Sequence, residues 1–181
     1  MNALGMIELN SIPKGIEAAD AMLKAAEVEL NTAQAVCAGK YIAIVSGEVA
    51  AVKSSVAAGV AIGADKMIDS IVIPNIDDQV LAAVACCTDI EYTNAVGIME
   101  TFSLAAAIVA ADAAVKAADV QLIEVRLGRG LGGKSFIILT GDVAACKAAV
   151  AAGESMEEVK GLMNDSVVIP SPHEDLISSL F

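Results

Sequence analysis

At 181 residues the chain is long enough for one domain or two small ones, and 56% of it is hydrophobic. Even so, no stretch reaches the roughly twenty uninterrupted apolar residues of a membrane-spanning helix; the nearest, 104–115, is broken by Asp112 and followed by Lys116. A formal net charge of -12, with three Phe, two Tyr and no Trp, excludes the basic stripe and stacking platforms of a nucleic-acid binder.

The acidity is spread along the chain, with twelve Asp/Glu in residues 1–92 and eleven in 93–181. It serves solubility, and it would bias a pore toward cations if carboxylates lined one. The start, Met1-Asn2-Ala3-Leu4-Gly5-Met6, lacks the basic region of a signal peptide, so a cytoplasmic location is expected. Cys37, Cys86, Cys87 and Cys146 follow no zinc-site spacing, and their thiols are expected to be reduced. The single His173 leaves no pair of imidazoles for a mechanism or metal site within one chain.

In chain order, a strand is predicted over 5–9, followed by a helix that Ser11 caps. In that helix Ile16, Ala19, Leu23 and Ala26 fall at helical spacing as the buried stripe, with Glu17, Asp20, Lys24 and Glu27 opposite. A strand over 28–36, a turn at 37–40 and a β-rich run over 41–45 come next. A second helix begins near Glu48, with Val49, Val52, Val56 and Val60 as its buried stripe, and a strand over 70–74 closes the unit.

The same order then starts again. Ala3-Leu4-Gly5-Met6-Ile7-Glu8 recurs as Ala95-Val96-Gly97-Ile98-Met99-Glu100, and Asp20-Ala21-Met22-Leu23-Lys24-Ala25-Ala26 as Asp112-Ala113-Ala114-Val115-Lys116-Ala117-Ala118. Gly39-Lys40 recurs as Gly133-Lys134, and Asp69-Ser70-Ile71-Val72-Ile73-Pro74 as Asp165-Ser166-Val167-Val168-Ile169-Pro170. Four blocks in one order are a duplicated domain, with copies over 1–92 and 93–181. Each copy is a βαββαβ unit, an α+β sandwich of the ferredoxin-like kind with helices on one sheet face.

Residues Gly128-Arg129-Gly130-Leu131-Gly132-Gly133-Lys134-Ser135 match a phosphate-binding loop formally. Such a loop must open a helix, whose N-terminus holds the phosphate. Here Phe136-Ile137-Ile138-Leu139-Thr140 follows, which reads as a strand, so a strand-to-strand loop is expected and a nucleotide-dependent enzyme is disfavoured. Cys146 falls at the position of Val52 in the first copy and reads as a small buried hydrophobe. Cys86 and Cys87 read as packing or linker residues. Cys37 stands at a loop tip where the second copy has Leu131, so the fold itself does not require a thiol there. From the residues alone, a structural or incidental role is the ordinary reading of such a cysteine.

The repeated blocks resemble the shell domain of bacterial microcompartments: Gly-x-Ile-Glu near the start, Asp-Ala-x-x-Lys-Ala-Ala, Gly-Lys before a strand and Val-Ile-Pro-x-Pro-His. Two copies in one chain resemble the tandem class of that family, and Val36-Cys37-Ala38-Gly39-Lys40 resembles the loop of its propanediol-utilisation T subunits. The resemblance implies a non-enzymatic shell tile, with three chains forming a pseudohexameric ring around a central pore. It further implies that Cys37 from three chains holds one [4Fe–4S] cluster at the pore, as cofactor and electron carrier. The implied partners are the chain itself, other shell proteins, and encapsulated enzymes or a redox partner. It places Lys24 and Lys116 on the tile edge. The Arg usual in the family's final segment is missing, since Pro170-Ser171-Pro172-His173 stands there. A small-molecule sensor on a duplicated ferredoxin-like fold is the alternative.

Overall fold

The structure, a computed structural model, describes residues 3–89 and 94–177. The first copy comprises β1 (Ala3–Leu9), α1 (Ile12–Ala25), β2 (Glu29–Val36), β3 (Lys40–Gly47), α2 (Val49–Gly63) and β4 (Met67–Ile73). After α3 (Asp78–Val84), the second copy comprises β5 (Ala95–Thr101), α4 (Leu104–Ala117), β6 (Val120–Leu127), β7 (Ser135–Gly141), α5 (Val143–Ser155) and β8 (Met163–Pro170). The short α6 (Glu174–Ile177) follows. Among the described residues no helix is long and apolar enough to cross a membrane.

Each copy builds one antiparallel four-stranded sheet, in the order β2-β3-β1-β4 and β6-β7-β5-β8. The duplication reaches into the irregularities. The ladder slips between Glu8 and Leu9 and again between Glu100 and Thr101, and between Leu30 and Thr32 as between Leu122 and Glu124. Bulges are heritable features of a sheet, and the same two in both copies mark one ancestral unit.

Ser11 and Ser103 cap α1 and α4, accepting the N–H of Lys14 at 3.4 Å and of Ala106 at 3.2 Å. The stripe on α1 is turned relative to its expected face. Ala19 is buried, but Ile16 and Leu23 are 53% and 39% exposed, and Gly15, Ala18 and Met22 face the core. The cause is close approach: a Cβ at Gly15 would stand 2.5 Å from the Tyr41 side chain, so the helix lies on the sheet by its smallest residues. Likewise Val52 and Val56 are buried on α2, whereas Val60 lies at the margin and Gly59 and Gly63 make the contact.

The first core gathers Ile7, Leu9, Met22, Tyr41, Val45, Val52 and Val56 between helices and sheet. Two compact units emerge, one ending at Ile76 and the other beginning at Asp77. The repeat by itself places the boundary at 92/93. The segment carrying α3, however, packs on β6 and α4, and its contacts place it in the second unit.

Candidate functional site: the strand-to-strand loops

The two loops singled out by the sequence join equivalent strands. In the first copy, Val36 ends β2, residues 37–39 turn, and Lys40 opens β3. Gly39 takes φ +74, which glycine adopts without steric cost, and Cys37 is half-buried on this turn. In the second copy, residues 128–134 connect β6 to β7, closed by the Gly128 N–H donating to the Lys134 carbonyl at 3.2 Å. Ser135 enters β7 directly, and its side chain is fully buried. A phosphate loop would open a helix here and present that hydroxyl to a metal ion. This one does neither, as expected from the run Phe136–Thr140.

Each loop is anchored by a lysine that follows its last glycine. Lys40 Nζ lies 2.8 Å from Glu8 Oε1, a carboxylate almost fully buried on β1. Lys134 Nζ lies 2.6 Å from Glu100 Oε1 on β5, and Asn164 also donates to Glu100. The sequence repeat contains both members of this pair, yet Glu8 and Glu100 pass there as the polar end of a strand motif. The signal that finds them is the joint recurrence of Gly-x-x-Glu and Gly-Lys: a lysine and a carboxylate kept as a pair in both copies.

The hydrogen bond from Lys134 holds the Glu100 carboxyl below its ordinary value near 4.5, outweighing the opposing effect of burial, and the hydrogen bond from Asn164 lowers it further. A carboxylate depressed in the folded state adds stability above its unfolded value, and that stability disappears as pH falls through the folded one. Thermal melts of Glu100→Gln should therefore show a weaker loss of stability than wild type as pH is lowered below about 4.5. Parallel slopes would remove the pair from the acid response.

The cysteines fall into three environments. Cys146 is fully buried on α5, and burial pushes its thiol pKa up, with Asp142 adding to the shift. Cys86 and Cys87 are exposed after α3, and Cys37 alone stands on a strand-to-strand loop. Among the described residues, no group of three or more His, Cys, Asp and Glu side chains gathers to hold a metal. Lys24 and Lys116 end equivalent helices and pair with Asp20 and Asp112 one turn back, each at 2.5 Å.

Comparison with known proteins follows this doubled architecture. A BMC domain is recognised at residues 3–76 and again at residues 95–172. The chain belongs to the BMC-domain family. It is a tandem-domain member: it is 43% identical over 174 residues to the bacterial microcompartment shell protein PduT of Citrobacter freundii, covering 96% of this chain and 95% of that protein. The crystal structure of a microcompartments protein from Desulfitobacterium hafniense superposes with a TM-score of 0.94 at 52% identity, covering 98% of this chain and 99% of that one. A fused permuted hexameric shell protein of the RMM microcompartment aligns with a TM-score of 0.63 at 25% identity, over 88% of this chain and 81% of that one. The expected α+β fold with two BMC domains is thereby borne out.

Proposed function

We propose that this tandem BMC-domain protein is a homotrimeric shell tile, six BMC domains ringing a central pore, and that Cys37 of three chains holds one [4Fe–4S] cluster there. The tile's work is structural rather than catalytic. It forms part of a microcompartment shell beside other shell proteins and around encapsulated enzymes. Its relatives are shell proteins by name, which favours this reading over a small-molecule regulator.

The observation that carries the proposal is the asymmetry of an otherwise faithful duplication. One copy's loop bears a half-buried thiol, and the equivalent loop is longer and bears Leu131. A cubane cluster takes four ligands, usually thiolates. One chain does not fit it, because its remaining cysteines are buried on α5 or exposed after α3. Threefold symmetry turns one loop cysteine into three ligands about an axis, leaving a fourth iron site to water, a small thiol or a partner side chain. Such a cluster would supply one-electron transfer across the shell to a redox partner.

The assembly is tested first by sedimentation. Purified chain should sediment at about three times its mass of 18.3 kDa, as a closed ring of heterologous contacts requires. A stable monomer or dimer at micromolar concentration would sink the trimer, and with it the shared cluster.

A further inference from the structure

Two of the four thiols play no part in the shell or in the cluster proposed for it. Cys86 and Cys87 are expected as packing or linker residues, yet both are exposed, at the end of α3 within the second unit.

The backbone holds this pair in a fixed place. Ala85 ends α3, the Cys86 N–H donates to the Ala83 carbonyl at 3.3 Å, and the Cys87 N–H donates to the Ala82 carbonyl at 2.9 Å. These two bonds close a helix through a left-handed residue, a place that glycine usually takes. Here Cys86 takes it, at φ +55, although a side chain is disfavoured there. On either side the segment is tied to the edge of β6. Gln79 Oε1 accepts the Leu122 N–H at 3.1 Å, and Thr88 Oγ1 donates to the Ile123 carbonyl at 2.8 Å. The two thiols therefore stand on an anchored turn.

Cys87 also lines a cleft of about 380 Å³ between that turn and the start of β6. Of the described residues lining it, only Asp89 and Asp119 are charged, so the cleft draws cations.

The chemistry of the pair is set by its spacing. Neighbouring Cα atoms lie about 3.8 Å apart, short of the roughly 4.4–6.8 Å of an unstrained disulfide. The pair therefore rests as a free dithiol, with both sulfurs available as ligands. Soft thiolates select soft ions such as monovalent copper. A structural zinc ion wants four ligands, and among the described residues no three His, Cys, Asp or Glu side chains gather to hold a metal. A two-coordinate ion asks for two sulfurs only.

We infer that Cys86 and Cys87 form a binding site for a soft monovalent cation of the copper(I) class, one per chain, with Asp89 and Asp119 supplying the attracting charge. Binding exchanges both thiol protons, released to solvent, for one copper(I) ion and leaves a singly negative bis-thiolate. No electron moves. The site is separate from Cys37 and stands whether or not a cluster forms there.

The test uses full-length protein carrying Cys37→Ser, which removes the loop thiol, titrated anaerobically with copper(I) against bicinchoninate. The expected result is one copper held per chain, more tightly as pH rises because the thiols must give up their protons. X-ray absorption should show that copper between two sulfur atoms. Adding Cys86→Ser and Cys87→Ser together should abolish the binding. Either serine alone should weaken it beyond the roughly 10–100-fold that loss of an outer partner costs. Asp89→Asn with Asp119→Asn should weaken it about tenfold at low salt, with the stoichiometry unchanged. Both cysteines are exposed, so circular dichroism of the serine variants should match that of the parent. Copper retained by the double serine variant, undiminished affinity with one thiol removed, or absorption lacking two sulfur neighbours overturns the site.

Discussion

Cys37→Ser should abolish iron binding by the assembled protein, whereas Cys146→Ser and the double Cys86→Ser, Cys87→Ser variant should retain whatever iron the wild type takes up. The expectation follows from where the four thiols stand. Cys146 is fully buried on α5 with its thiol pKa raised by burial, so it is neither ionised nor accessible as a ligand. Cys86 and Cys87 follow α3 in the second unit, in a segment that belongs to neither strand-to-strand loop. Only Cys37 combines partial exposure with a loop that three chains would bring to a common axis. The measurement is anaerobic reconstitution, followed by iron and sulfide assay, visible absorbance and EPR after reduction. Wild type should bind about four iron atoms per three chains, the content of one cubane cluster, and Cys37→Ser none. Wild-type trimer that takes up no iron under these conditions would leave a plain shell tile and remove the electron-transfer role.

The second large effect is on stability. Gly5→Val should destabilise the first unit by about 3 kcal/mol, and Gly97→Val should do the same to the second. A Cβ at Gly5 would lie 2.6 Å from Val56 Cγ2 and 2.7 Å from Val52 Cγ1, and at Gly97 2.7 Å from Leu139 Cδ1 and 3.0 Å from Val150 Cγ2. Val52, Val56 and Val150 are short branched side chains on the helices that cover these glycines, and Leu139 stands beside Gly97 in the sheet. Inside a packed layer they have little room to swing away, so the added side chain must force the layers apart. Ala33→Val, on an exposed position of the edge strand β2, serves as the control and should change stability by less than about 0.5 kcal/mol. Urea unfolding decides the matter. An unchanged midpoint for Gly5→Val would mean that the helix and sheet are less tightly apposed than their contacts require.

The tandem repeat was legible in the sequence because duplication preserves residue type at matched spacing, and Gly5 with Gly97, Ser11 with Ser103 and Lys40 with Lys134 survive as pairs. The strand after Ser135 was legible for the same reason: its first-copy counterpart also runs straight from Gly-Lys into a β-rich stretch. The sequence did not reveal which side of α1 meets the sheet. Ile16 and Leu23 are the more hydrophobic choice, but Gly15, Ala18 and Met22 face the core, and Gly15 lies so close to Tyr41 that a Cβ there would stand 2.5 Å from its side chain. Nor did it separate the two loop anchors from ordinary surface charge, because Glu8 and Lys40 are 32 positions apart and meet only once β1 and β3 have paired. The covering of α4 by α3 was hidden for a related reason. By itself the segment 78–84 is seven residues with no amphipathic stripe long enough to read, and it acquires a partner only when Asp112 and the edge of β6 are in place. Local spacing therefore determined the elements and their duplication, since it is written in neighbouring residues. The tertiary structure decided which faces are buried and which remain open, since that depends on how closely backbones approach.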